Sequence, residues 1–184
     1  MKYIPLLTLI IVLLTYKADA QKFYVGCPQQ VVTKPNVGFL DKQPVDLVVF
    51  DNRAVPSNAK VECQGADIEQ VLKNFLRSEF PSCKITLLPD TFYNKASKPN
   101  RITIKLAITK YQASQSKLEW TASVNYHVMI FDDRNGKVKK VSEDISNDTT
   151  KPGVWGYKTA KTCLMTSFDK SNQDLISFIQ NSLQ

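Results

Sequence analysis

The sequence predicts an α+β fold, an antiparallel β-meander sheet with two amphipathic helices packed on one face. Three observations carry this expectation. Ile102, Ile104, Leu106 and Ile108 alternate with Arg101, Thr103, Lys105 and Thr109, and Leu118, Trp120, Ala122, Val124, Tyr126, Val128 and Ile130 repeat with the same period of two. Ile68, Val71, Leu72, Phe75 and Leu76 fall at the spacing of one helical stripe. Near the C-terminus, Leu175, Ile176, Ile179 and Leu183 form a second stripe, with Phe178 at its margin.

Residues 1–20 read as an export signal. Lys2 precedes an apolar run from Ile4 to Leu14, and Ala18-Asp19-Ala20 has the small, spacer, small pattern of a cleavage site before Gln21. The run is too short to span a bilayer, which needs about 20 residues. The remainder divides into an extended N-terminal arm over 21–44, where Pro28, Pro35 and Pro44 favour an extended arm or edge strand over a helix, and a single α+β domain over 45–184. Val45 to Phe50 is rich in β-branched residues, reads as a strand and ends in the turn Asp51-Asn52-Arg53. Lys60 to Glu62 reads as a short returning strand. The first helix follows, with Asp67 and Gln70 suited to its start and Pro81 stopping it. Lys84 to Leu88 is a strand, and Pro89 to Asn100 a polar loop.

In the meander, a turn is expected at Gln112 to Lys117, and a second at Asp132 to Gly136, where Asn135-Gly136 favours a tight hairpin. A third strand runs from about Lys137 to Ile145. The last helix starts at Ser171 or Asn172, with Thr159 to Phe168 an earlier turn or helix of the same element.

The whole chain carries 24 basic and 17 acidic residues. Without Lys2, Lys17 and Asp19 the counts are 22 and 16, a formal +6. This charge is dispersed, with Lys137, Lys139 and Lys140 as its densest group, and no basic stripe interleaved with aromatics points to nucleic acid. All four cysteines, Cys27, Cys63, Cys83 and Cys163, lie beyond the signal segment, and an even number in an exported chain reads as two disulfides. Cys63 and Cys83 flank a helix roughly 21 Å long. Bridged Cα atoms lie within about 7 Å, which disfavours that pair. Two pairings stay open: Cys27 with Cys63 and Cys83 with Cys163, or Cys27 with Cys83 and Cys63 with Cys163; a reducing host would leave free thiols. No C-x-x-C pair exists and His127 is the single histidine, so neither a metal site nor any other cofactor is expected. Cys27 is no lipid-attachment site by spacing, because Thr15 to Gly26 separate it from the apolar run.

From Val45 to Asn181 the order of elements resembles the YajG-like family of bacterial envelope lipoproteins. The shared features are an apolar strand ending in D-x-R, here Asp51-Asn52-Arg53, an amphipathic helix, a long meander with a central Asn-Gly turn, and an amphipathic C-terminal helix. The resemblance implies a periplasmic place and this fold, without an established activity. The chain departs from the family in its cysteines and in lacking a lipobox.

Signatures of catalysis are sparse. A hydrolase triad needs a histidine beside an activated nucleophile, and His127 has no G-x-S-x-G partner in the sequence. Asp132 and Asp133 read as turn formers rather than a catalytic pair. The binding candidates are Trp155 and Tyr157, in a glycine-bearing loop from Pro152 to Tyr157, and Asp51 with Arg53 at a strand end. The expected function is a non-catalytic exported envelope or periplasmic binding or accessory module. Its expected partner is an envelope protein or a lipid surface, and neither nucleic acid nor a membrane-spanning segment of the mature chain. The alternatives are a secreted enzyme using carboxylates only, or a secreted inhibitor or effector.

Overall fold

A computed structural model describes residues 21–29, 35–153 and 156–184. The signal segment 1–20, Val31-Val32 and Trp155 lie outside the described residues. The strands are β1 (Lys22–Val25), β2 (Pro44–Asp51), β3 (Ala59–Val61), β4 (Lys84–Leu88), β5 (Ile102–Ser116), β6 (Glu119–Asp132) and β7 (Lys139–Pro152). The helices are α1 (Gly65–Glu79) and α2 (Tyr157–Leu183), with a 3-10 turn at Asp90–Phe92.

The fold is α+β, but the sheet is mixed and curled rather than a purely antiparallel meander. The β5–β6–β7 meander is present and antiparallel throughout. Onto it the chain adds parallel pairs, since β2 runs parallel to both β5 and β4, and β1 runs parallel to β3. The connection from β2 to its parallel neighbour β4 contains β3 and a helix, and parallel neighbours require such long connections. Along one edge β5 is long enough to serve two partners. Its first half pairs with β2 from Ile102 to Ile108, and its end pairs with β1 from Ala113 to Gln115. Lys22 to Val25, expected in an extended arm or edge strand, is a strand that lies between β3 and β5.

A bulge between Ile108 and Lys110 lets β5 run this far. The extra residue restores inward-facing parity, so that Tyr111 and Ala113 are buried beyond Ile108. The expected turn at Gln112 to Lys117 is thus strand as far as Ser116. The turn itself is Lys117-Leu118, with Lys117 at φ 53°. Leu118, expected on the apolar face of the second strand, is 61% exposed at this hairpin tip. Trp120, Ala122, Val124, Tyr126, Val128 and Ile130 are buried as their alternation predicts.

Helix α1 begins before Asp67, which sits at its third position and accepts a hydrogen bond from the Gln64 backbone N–H at 3.0 Å. It buries Ile68, Leu72, Phe75 and Leu76, with Val71 partly buried, and it lies over β2 rather than over the meander. Helix α2 covers β5, β6 and β7 in one continuous run. Ser171 and Asn172 do not start it. They are buried in mid-helix because their polar atoms bond to the sheet: Ser171 Oγ donates to the Val124 carbonyl at 2.8 Å, and Asn172 Oδ1 accepts from the Tyr126 hydroxyl at 3.1 Å. Both helices lie on the same face, meeting around Leu47, Leu76, Ile104 and Ile179.

The opposite face is not simply solvated. The 89–100 segment folds over it, Tyr93 packs on Phe50 at 5.3 Å between ring centroids, and Thr103 and Lys105 become buried. Lys105 donates to the carbonyls of Tyr93 and Lys95, and Asp46, fully buried, accepts from Arg101 at 2.8 Å.

One disulfide joins Cys27 to Cys63 just beyond β1 and β3. Neither of the two open pairings forms in full: Cys27–Cys63 is present, and its companion Cys83–Cys163 is not. Cys163 donates to the Trp120 carbonyl near the far end of β5, whereas Cys83 donates to the Phe39 carbonyl beside the start of β2. Those sites are roughly 40 Å apart along the strands, from Ile102 to Gln115 at about 3.3 Å per residue. Bridged cysteines need Cα atoms within about 7 Å.

Two measurements test this packing. Phe75→Ala should lower stability by about 3–5 kcal/mol, whereas Arg77→Ala on the exposed side of α1 should change it by less than about 0.5 kcal/mol. Equal losses in denaturant titration would contradict the assigned face. Replacing Cys27 and Cys63 together by serine opens a loop of 36 residues and should cost on the order of 4 kcal/mol, read as a lower unfolding midpoint. The same double change at Cys83 and Cys163 should leave unaltered the response of the midpoint to reductant.

Candidate functional site at the hairpin end

The β5–β6 tip, the start of β1, the end of β7 and the start of α2 converge at one end of the molecule. Lys22 pairs with Gln115, Trp120 with Lys151, and Glu119 with Pro152. Gly153 donates to the Leu118 carbonyl at 2.8 Å and accepts from Gln115 Nε2 at 3.3 Å, which ties the segment after β7 to the tip. Gly153 also packs against Thr159, because a Cβ added there would fall 2.8 Å from the threonine hydroxyl. Gly156, at φ 74°, then turns the chain into α2.

Tyr157, the first residue of α2, is partly buried in an aromatic cluster rather than free in a loop. Its ring stacks on Tyr24 at 5.3 Å and meets Trp120 at 5.7 Å, while Lys60 Nζ lies 4.5 Å from its centroid. Tyr24 donates to Glu62 at 2.6 Å, and Lys60 pairs with the other oxygen of that carboxylate at 3.1 Å. Burial, reinforced by Glu62, raises the Tyr24 hydroxyl well above its ordinary value. The hydrogen bond from Tyr24, with Lys60 beside it, holds the Glu62 carboxyl below the usual range.

Charge at this end is strongly one-sided. Lys22, Lys60, Lys117, Lys151, Lys158 and Lys161 surround it, against the carboxylates Glu62 and Glu119. Leu118 is exposed at the hairpin tip, next to Lys117 in the chain. Sequence reading missed the clustering because the six lysines come from five separated segments; only the strand registers bring them together.

Asp51 and Arg53 are brought together, but as structure. Arg53 donates to both Asp51 oxygens, at 2.6 and 2.9 Å, and to the Tyr111 carbonyl at 3.3 Å. Its side chain is only 4% exposed. The Asp51 carboxylate lies against the first residue of α1, where a Cβ at Gly65 would fall 1.9 Å from Oδ2. The pair thus joins the end of β2 to α1 and to β5, and its guanidinium is already occupied.

The carboxylates at the second hairpin are also engaged. Asp132 is bound by Arg134 at 2.6 and 2.9 Å, which holds its carboxyl below the usual range, and Asp133 accepts from the Asn100 backbone N–H at 3.3 Å. His127 pairs with Asp144 at 2.5 Å across β6 and β7, on the face away from the helices. Among the described residues no group of three or more histidine, cysteine or carboxylate side chains is placed to hold a metal ion. No described helix is long and apolar enough to cross a membrane.

No family model matches the chain, and no curated protein matches it in sequence. Several solved structures are similar to it in fold. The hypothetical protein CT253 from Chlamydia trachomatis aligns over 77% of this chain and 98% of its own, at 15% identity and a TM-score of 0.47. A putative neuraminyllactose-binding hemagglutinin homolog from Helicobacter pylori aligns over 88% of this chain and 92% of its own, at 11% identity and a TM-score of 0.41. Lipoprotein GNA1162 from Neisseria meningitidis aligns over 73% of this chain and 98% of its own, at 14% identity and a TM-score of 0.35.

Proposed function

We propose that the chain is an exported, non-catalytic binding or accessory module of the cell envelope, akin to the YajG-like proteins it resembles, and that its hairpin end docks on an anionic lipid surface. The observation that carries this reading is the gathering of lysines from five segments at the end of the molecule where Leu118 is exposed. Each lysine near an anionic membrane contributes about 1 kcal/mol, and an exposed leucine adds apolar contact with the interfacial region. The Cys27–Cys63 bridge supports an oxidising compartment. The occupied state of Asp51, Arg53, Asp132 and Asp133 supports a structural rather than chemical use of those side chains.

Co-sedimentation with vesicles tests the reading. Binding is expected to vesicles containing phosphatidylglycerol, to be absent from pure phosphatidylcholine, and to weaken as ionic strength rises, because exposed charges are screened beyond about 8 Å at physiological salt. Lys117→Glu combined with Leu118→Ser should weaken binding at least about tenfold while leaving the unfolding midpoint unchanged. Lys137→Glu, at the other hairpin, should have a much smaller effect. Equal losses at the two hairpins would mean attraction by net charge alone and would remove the assigned docking end.

A further inference from the structure

We propose that the free edge of β7 takes up a basic, extended segment of a partner protein as an added strand. Strand β7 is 14 residues long and pairs with β6 alone, in an unbroken register from Asp132 opposite Lys139 to Glu119 opposite Pro152. Among the described residues no backbone group of β7 bonds to any backbone other than that of β6. Half of its N–H and C=O groups therefore point outward, where they form a template for one more strand.

Edges of this length are usually bulged, shortened or covered. Here a groove of about 410 Å³ runs beside the strand instead, between Glu143, Asp144 and Ile145 of β7 and Asp174, Phe178 and Asn181 of α2. Successive residues of β7, 143–146, line it although their side chains alternate between the two faces, so the groove follows the backbone edge itself. Two ties fix α2 beside the strand: Lys139 Nζ donates to the Ser182 carbonyl at 3.3 Å, and Asn147 Nδ2 donates to Asp174 at 2.8 Å.

Charge selects the occupant. Three carboxylates line the groove and no basic side chain does. Asp144 is paired with His127 and Asp174 with Asn147, whereas Glu143 and, further along the same edge, Asp148 are exposed and make neither a hydrogen bond nor an ion pair among the described residues. Lysine or arginine opposite Glu143 and Asp148 forms favourable cross-strand pairs, and an acidic segment is repelled. Ile145 and Phe178 favour an apolar side chain on the helix-facing side of the added strand. A second copy of β7 is opposed by the same charges, because antiparallel pairing end to end sets Lys140 against Lys151 and Glu143 against Asp148. Backbone pairing then supplies affinity and the alternate side chains supply specificity. This site is separate from the lysine-rich end and does not depend on membrane docking.

Titration of the exported protein, with its Cys27–Cys63 bridge intact, by the capped peptide Lys-Thr-Thr-Val-Lys-Arg-Thr tests the assignment through amide chemical shifts. Laid antiparallel along residues 148–142, this peptide sets lysine opposite Asp148, valine opposite Ile145 and arginine opposite Glu143. Saturable shifts along β7 are expected, with slowed hydrogen exchange at alternate residues of the strand. The same peptide N-methylated at two adjacent central residues keeps every charge but loses a backbone donor toward β7, since successive N–H groups point to opposite sides, and should bind at least about tenfold more weakly. Glu143→Lys combined with Asp148→Lys should also weaken binding at least about tenfold with the unfolding midpoint retained. Failure to saturate, equal binding of the N-methylated peptide or unchanged affinity in the double variant would overturn the proposal. A dimer in sedimentation equilibrium that the double variant dissolves, with no peptide bound, would overturn it too and give the edge to a second copy.

Discussion

The placement of α2 on β6 governs the rest of the structure. Cys163, Ser167 and Ser171 donate in turn to the carbonyls of Trp120, Ala122 and Val124, at 3.6, 3.2 and 2.8 Å, and Asn172 closes the series by accepting from Tyr126. Four helical residues rise about 6.0 Å and two strand residues about 6.6 Å, so the two periods nearly coincide over this length. Small side chains at these positions let the helix approach the sheet closely enough for a hydroxyl to reach a backbone oxygen. Each such bond contributes only about 1 kcal/mol. A slip of one residue, however, would leave several buried hydroxyls without acceptors, so the series sets the axial position of the helix. That position puts Tyr157 in the aromatic cluster at the hairpin end and puts Asp174 and Phe178 beside β7.

The second constraint is the bulge in β5. Before it, Ile102, Ile104, Leu106 and Ile108 face the helices; after it, Tyr111 and Ala113 do. Without the extra residue the second set would point away, since side-chain parity along a strand is strict. The bulge lies where β2 leaves β5, and the Asp51–Arg53 turn fills that junction: Asn52 donates to the Ile108 carbonyl and Arg53 to the Tyr111 carbonyl. A three-residue motif that reads in the sequence as a strand-end turn is therefore the joint between two halves of one long strand. It also frees the far end of β5 to pair with β1.

These two constraints segregate charge. The hairpin end gathers lysines from β1, β3, the β5–β6 tip, β7 and α2, whereas the groove between β7 and α2 gathers carboxylates. The net charge of +7 for the whole chain conceals both, because it averages over groups that the fold sorts to different places.

By itself the sequence determined the elements whose side chains repeat with a clean period. The apolar face of β6 and the stripe of α1 with its end before Pro81 were legible, because burial on one face imposes a period on the residues themselves; a turn at Asn135-Gly136 was legible too, although six residues, 133–138, join β6 to β7 rather than a tight hairpin. Tertiary structure alone decided what depends on partners distant in the chain. Ser171 and Asn172 resemble helix starters, yet they are mid-helix because strand carbonyls satisfy them. Leu118 continues the alternation of β6, yet the hairpin turn carries it into solvent. Cys83 and Cys163 count as a pair, yet the length of β5 keeps them apart, and the parallel pairing of β2 with β5 leaves no local mark. Periodicity reports one element's exposure, whereas polar satisfaction, strand order and the convergence of lysines or carboxylates are relations between elements, which only the folded chain brings within reach of one another.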